Sequence, residues 1–180
     1  MSNNNSFLVR TSAHLLRSHS LRNLSNTGAY KTLISLTLPP QSSPDYVPTL
    51  VYQARAHLAL NNPSAALSLL PTDSEDVTIK AVSSLARYIA ATTPPSSGSS
   101  EGAEAALEEL RDLSVEIEGD DSEASDKDKW LVRVLAGTAF SRAGEAEEAL
   151  ETLGLSEGNE ESIEAYVFLL VDPTVHLTTP

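Results

Sequence analysis

The chain has 180 residues, 41% of them hydrophobic and 5% aromatic, which gives enough apolar content for a packed core and rules out a wholly disordered chain. It contains no cysteine, so disulfides and thiolate metal sites are excluded. Residues 1–44 carry Arg10, Arg17, Arg22 and Lys31 and no acid, whereas residues 45–180 carry 8 basic and 25 acidic residues, a net of −17 that repels nucleic-acid phosphate and anionic membrane alike.

Residues 1–20 read as a basic, disordered tail. Met1 to Arg22 is rich in serine, contains arginine and lacks acids, which is also the composition of a mitochondrial presequence. It has no continuous apolar core of the secretory kind. Leu15-Leu16, Leu21, Leu24 and Leu33-Ile34 predict a weak first helical pair that turns at Asn26-Thr27-Gly28. Pro39-Pro40-Gln41-Ser42-Ser43-Pro44 breaks the chain.

A clearer helix is predicted over 45–60, with Pro44 and Pro48 suited to its beginning. Its apolar stripe is Leu50, Val51, Ala54 and Leu58. Asn61-Asn62-Pro63 turns the chain into a short helix that buries Ala66, Leu67 and Leu70. Thr72-Asp73-Ser74-Glu75 reads as a capping box for a helix with the stripe Val82, Leu85, Ala86 and Ile89. A flexible Ser/Pro insert follows at 92–100. Ala103, Ala106, Leu107, Leu110 and Ile117 then keep amphipathic helical spacing.

Residues 119–128 read as an acidic loop, with Ser125 and Asp128 able to cap the next helix, Lys129 to Arg142. That helix is apolar on several sides: Trp130, Leu131, Val134, Leu135, Ala139 and Phe140. It should be sandwiched between neighbours, with Trp130 and Phe140 both buried. Gly144-Glu145 turns into a partner helix marked by Ala146, Ala149, Leu150 and Leu153. A last helix is expected from Asn159 to Leu170, and 172–180 reads as a second disordered tail. No apolar run reaches the roughly 18 residues needed to span a bilayer; the run Ala165 to Val171 is far shorter.

The elements are therefore helix pairs joined by tight turns, an all-α, helical-hairpin solenoid over 21–171. Gly28 and Asn62 are 34 residues apart, the tetratricopeptide period, and Asn62 to Gly144 is two periods plus 14 residues that the insert and the loop absorb. The best unit, Gly137 to Leu150, looks like a tetratricopeptide repeat. Gly137 permits close helix approach, Phe140 plugs the gap, Gly144 makes the turn, and Ala149-Leu150 packs the second helix back. Arg133 departs from the pattern, which wants a large apolar residue there; Trp130 is expected to fill that space.

The order of segments resembles the epsilon subunit family of coatomer. Leu21-Arg22-Asn23 with Gly28-Ala29-Tyr30-Lys31 is similar to that family's first hairpin. Leu58-Ala59-Leu60, Ala66, Leu69-Leu70, Ala81-Val82 and Arg87-Tyr88-Ile89-Ala90 match its second hairpin and third repeat, and Trp130 to Leu153 the next. The likeness covers about residues 20 to 170. Leu24-Ser25-Asn26-Thr27 stands where the family has an aromatic run, and the family continues through further repeats, so the chain reads as a short or incomplete form. The resemblance implies a non-catalytic subunit of the COPI vesicle coat. It implies binding to the carboxy-terminal part of the coatomer alpha subunit, within the wider coatomer complex. It also implies a role in Golgi-to-endoplasmic-reticulum transport, in the cytoplasm and peripherally on Golgi membrane. A mitochondrial tetratricopeptide adaptor is the alternative.

Catalytic, cofactor and metal sites are not expected. His14, His19, His57 and His176 are scattered without ligand spacing. Asp120, Asp121, Asp126 and Asp128 lack the central glycine and terminal glutamate of an EF-hand loop. Glu108-Glu109 and Glu147-Glu148 read as solvated helix faces. Partner-binding residues follow from hairpin geometry, in which the first helix of each pair lines the concave face. That face would present Tyr52, Ala56, Ala59, Val134, Thr138, Ser141 and Arg142, with Tyr52 the expected anchor. Packing between repeats is the competing reading of the same positions.

Overall fold

The computed structural model describes residues 20–25, 28–93, 100–119 and 122–154, and every regular element among them is helical. The chain divides into two compact units, Met1–Leu70 and Pro71–Pro180. The first holds α1 (residues 20–25), α2 (Tyr30–Ser35), α3 (Tyr46–Ala59) and α4 (Pro63–Leu69). The second holds α5 (Val77–Thr92), α6 (Ser100–Glu118), α7 (Asp126–Ala143) and α8 (Ala146–Thr152). The tails at 1–19 and 172–180 and the helix expected over 159–170 lie outside the described residues.

Tight hairpin turns share one hydrogen-bond pattern. At Gly144 (φ 86°) the Gly144 N–H donates to Ser141 O and the Glu145 N–H to Phe140 O. Gly28 (φ 69°) repeats this with Ser25 and Leu24, and Asn61 (φ 55°) repeats it with Leu58 and His57. This is the Schellman closure, in which a left-handed residue turns the chain back to satisfy the last helical carbonyls. The equivalent residue in the second turn is thus Asn61 rather than Asn62, and it stands 33 residues after Gly28 and 83 before Gly144. Asn62 instead caps α4: its Oδ1 accepts from the Ala65 N–H, with Pro63 at the first helical position. A Cβ at 144 would meet nothing within 4 Å, so any cost there is backbone strain alone. Gly144→Val is expected to lower stability by about 1–3 kcal/mol in chemical denaturation. A midpoint equal to wild type would remove the requirement for a left-handed residue.

In the first unit the core gathers Leu21, Leu33, Tyr52 and Ala56, with Leu24, Tyr30, Ile34 and Leu36 packed at its edge. α3 packs on both α2 and α4. The α2 helix has six residues, too few to hold itself, and its carboxy-terminal end is tied down from α3. The buried Gln53 Nε2 donates to Leu33 O at 3.1 Å and to Leu36 O at 2.6 Å.

In the second unit α5 packs on α6 and α7, α6 on α7, and α7 on α8. This is the neighbour pattern of successive helical hairpins, and the fold is tetratricopeptide-like. α7 is sandwiched, since Val132 and every residue from Val134 to Phe140 are buried. A Cβ at Gly137 would lie 2.6 Å from Leu153 Cγ, so the bare glycine is what lets α7 meet the end of α8. The contact that closes this hairpin is Leu153 on Gly137, with Ala149 buried beside it; Leu150 is 50% exposed and does not pack back. Trp130 is only half-buried, at the first turns of α7 where neighbours are fewer. Arg133 does not leave a space to fill: its Nε and Nη2 reach Glu118 Oε1 at 2.9 and 2.6 Å.

Three local boundaries differ from expectation. The α5 cap is Asp76, whose Oδ1 accepts from the N–H groups of Thr78 and Ile79, and not the Thr72–Glu75 box. Asp76 lies next to the first helical residue and needs no second side chain to do this. The acidic loop ends at Ser125, which caps α7 by accepting from the Asp128 N–H and donating to Asp128 Oδ2, so 126–128 are helical. Thr92 belongs to α5 and Ser100 to α6, which shortens the insert to 93–99; 94–99 lie outside the described residues.

Candidate partner-binding surface

Four of the seven positions expected to line a partner surface are core. Tyr52 is 9% exposed and Ala56 1%, both inside the first unit. Val134 is 1% and Thr138 2% exposed, with Thr138 Oγ1 donating to Val134 O along the buried helix. These four stand buried, in line with the competing reading of packing between helices. α3 and α7 are each buried around most of their circumference within their own unit, so these positions pack against neighbouring helices. Ala59 is exposed, and Ser141 and Arg142 are half-buried. Arg142 sits in the last turn of α7, where a cation complements the helix dipole. It also opposes the rise that burial imposes on the Tyr88 phenol.

Tyr52 has a neighbour that the sequence reading did not single out. Arg55 is buried, with its guanidinium carbon 5.5 Å from the Tyr52 ring centroid. Burial pulls its pKa below the ordinary value, and the nearby Tyr52 and Tyr30 partly offset this. An arginine stays charged under that displacement, so the first unit holds a cation against an aromatic face.

The second unit carries several ion pairs between helices. Arg111 of α6 donates from Nε to Glu148 Oε1 at 2.8 Å and from Nη2 to Glu145 Oε2 at 2.6 Å, while Nη1 meets Glu108 Oε2 at 3.2 Å. Its guanidinium carbon lies 5.3 Å from the centroid of the buried Phe140 ring. Glu148, and after it Glu145, raise the Arg111 pKa against the opposing effect of burial. Arg87 of α5 pairs with Glu109 of α6, and Lys80 with Glu75. A cleft of about 630 Å³ opens where α5 and α7 begin and α6 ends; Glu75, Asp76, Glu116, Glu123 and Asp128 line it.

Among the described residues no group of three or more His, Asp or Glu is placed to hold a metal ion. His57 stands half-buried in the last turn of α3. No helix of the described residues is long and apolar enough to cross a membrane. Arg111 and Gln53 were missed by sequence reading because both act on partners far along the chain. The polar Gln53 within the apolar stripe of α3 was the one available signal.

A family model described as coatomer epsilon subunit matches residues 15–173. No match was found among curated proteins or among solved structures.

Proposed function

The chain belongs to the coatomer epsilon subunit family, and from that premise we propose that it is a structural, non-enzymatic subunit of the COPI coat that binds the carboxy-terminal part of the coatomer alpha subunit. In this role it supports Golgi-to-endoplasmic-reticulum retrograde and intra-Golgi transport, and reaches membrane only through the coat. The observation that carries the reading is the family match over residues 15–173, which takes in every described helix. Helical repeats serve many partners, so the fold supports a binding role without choosing the partner. The acidic body favours a partner over nucleic acid or anionic lipid.

Contact positions are Ala59 in the first unit and Ser141 and Arg142 in the second, the three of the original seven that reach solvent. The test is a titration of an alpha-subunit carboxy-terminal fragment against wild type, Ala59→Arg and Arg142→Glu, with circular dichroism to confirm folding. Reversal of the Arg142 charge is expected to weaken binding about tenfold or more, in line with the cost of like-charge juxtaposition at interfaces. Unchanged binding by both variants moves the surface elsewhere. No binding by wild type sinks the alpha-subunit assignment. Imaging of the tagged full chain is expected to give Golgi-like puncta; a mitochondrial network would favour the adaptor reading of the basic amino-terminal segment instead.

A further inference from the structure

We propose that α8 is held by an electrostatic latch, the Arg111 clasp, and that release of the clasp lets α8 swing off α7 while the rest of the second unit stays folded. The idea is independent of the partner assignment. A seven-residue helix has no stability of its own, so α8 persists only through what it touches. Its apolar hold is small: Ala149 within the helix and Leu153 just beyond it are its buried residues. Leu153 seats on Gly137, at the far end of α8 from the clasp.

The amino-terminal end is held by charge. Arg111 reaches across from α6 to Glu145, which precedes the helix, and to Glu148 in its first turn. The two Glu148 contacts, Nε to Oε1 at 2.8 Å and Nη2 to Oε2 at 3.3 Å, form the two-pronged pairing that suits a planar guanidinium. The same group covers the Phe140 ring. Glu145, Glu147, Glu148 and Glu151 crowd α8 with negative charge, and α6 brings Glu108 alongside. Arg111 is the cation that offsets this crowding at the joint. Without it, repulsion drives α8 outward. Opening would bare the side of α7 that carries Gly137, an apolar surface otherwise under Leu153.

Arg111 is 27% exposed on its side chain, and Glu145 and Glu148 are 34% and 37% exposed, so dissolved salt reaches the clasp. Dry packing does not respond to salt in this way, which separates a latch from ordinary burial.

The experiment is hydrogen exchange by mass spectrometry on the full chain at about 50 and 500 mM NaCl, concentrations that bracket strong and weak screening. The reporters are the Ala149 and Leu153 amides, which donate to Glu145 O and Ala149 O. In wild type their exchange should rise severalfold with salt while amides of α5 stay unchanged, the mark of local opening. Arg111→Met should speed exchange in α8 about tenfold at low salt and remove or reverse the rise with salt, since salt then screens only repulsion among the α8 carboxylates. Glu148→Gln, which keeps the shape and most of the packing, should fall between. The latch is overturned if the α8 amides exchange at the wild-type rate in both variants, or if they open only in step with α5. It is also overturned if Arg111→Met keeps the wild-type salt response. Should Arg111→Met fail to fold, Glu148→Gln and the wild-type salt series decide the matter by the same criteria.

Discussion

Phe140→Ala is expected to destabilise the second unit by about 3–5 kcal/mol. Phe140 is 1% exposed, at the end of a stretch of α7 from Val134 to Phe140 that is buried throughout. Truncation removes a full ring from water-free surroundings and leaves a void between α7 and its neighbours. That void has little means of closing. Gly137 and Leu153 already fix how near α8 comes to α7, and the Arg111 guanidinium that lies over the ring is tethered by Glu145 and Glu148. The readout is guanidinium denaturation followed by the fluorescence of Trp130, the only tryptophan, which sits in the same helix. The midpoint should fall while the denaturant slope stays constant, as for a pure stability change. A loss below about 1 kcal/mol would mean that the neighbours collapse into the void, and α7 would not be a sandwiched helix in the sense argued.

Gln53 should rank next. Replacing it with leucine is expected to cost about 1–3 kcal/mol, the cost of a buried acceptor left unsatisfied, because the Leu36 carbonyl loses the Gln53 donor while the Leu33 carbonyl keeps only the Leu36 N–H at 3.2 Å. The shape and apolar volume of the leucine do not repair this, since the missing feature is the donor. Gln53→Glu should be worse than Gln53→Leu: a carboxylate would face two carbonyl oxygens in a buried site, where Gln53 is 4% exposed. Hydrogen exchange of the α2 amides reads the effect directly. Both variants should free α2 first and leave α5 to α8 protected. The order Glu milder than Leu would show that position 53 is wetter than the structure indicates and that capping of α2 is not its role.

The elements that sequence periodicity recovered are those where one stripe faces one neighbour. The stripe of α6 appears as expected, with Ala106, Leu107, Leu110 and Ile117 buried and Leu113 added. Local signals also worked where the whole motif lies within a few residues. Pro63 opens α4, Ser125 caps α7, and glycines turn the chain at 28 and 144. They failed where two local solutions compete. Thr72-Asp73-Ser74-Glu75 has the pattern of a capping box, but Asp76 alone satisfies two amides of α5 and wins. Asn61 and Asn62 look interchangeable in sequence, yet one turns the chain and the other caps the next helix.

Of the seven positions expected to face a partner, Tyr52, Ala56, Val134 and Thr138 are buried, a matter of packing that helical spacing does not reveal. Tyr52 was chosen for being an aromatic in a concave position, and it is buried against Leu21, Leu33 and Ala56 instead. The same holds within the hairpin, where apolar Leu150 beside Ala149 predicts packing of α8 on α7, and Leu150 is half exposed. The family itself was legible, because it rests on the order of hairpins and the spacing of small and aromatic residues, both properties of the linear chain.

Helix type, turn position and capping chemistry are short-range: backbone hydrogen bonds and φ preferences act within five or six residues, so the sequence by itself determined an all-helical chain of tight hairpins with an acidic body. Burial and long-range pairing depend on where other helices come to rest. Only the tertiary structure decided that Gln53 would close α2 from 17 and 20 residues away, and that Arg111 would meet Glu145 and Glu148 from 34 and 37. A polar side chain carries no mark of its partner. Its meaning is set by which carbonyl or carboxylate the packing of apolar surface brings within about 3 Å, and that packing is a property of all the helices at once.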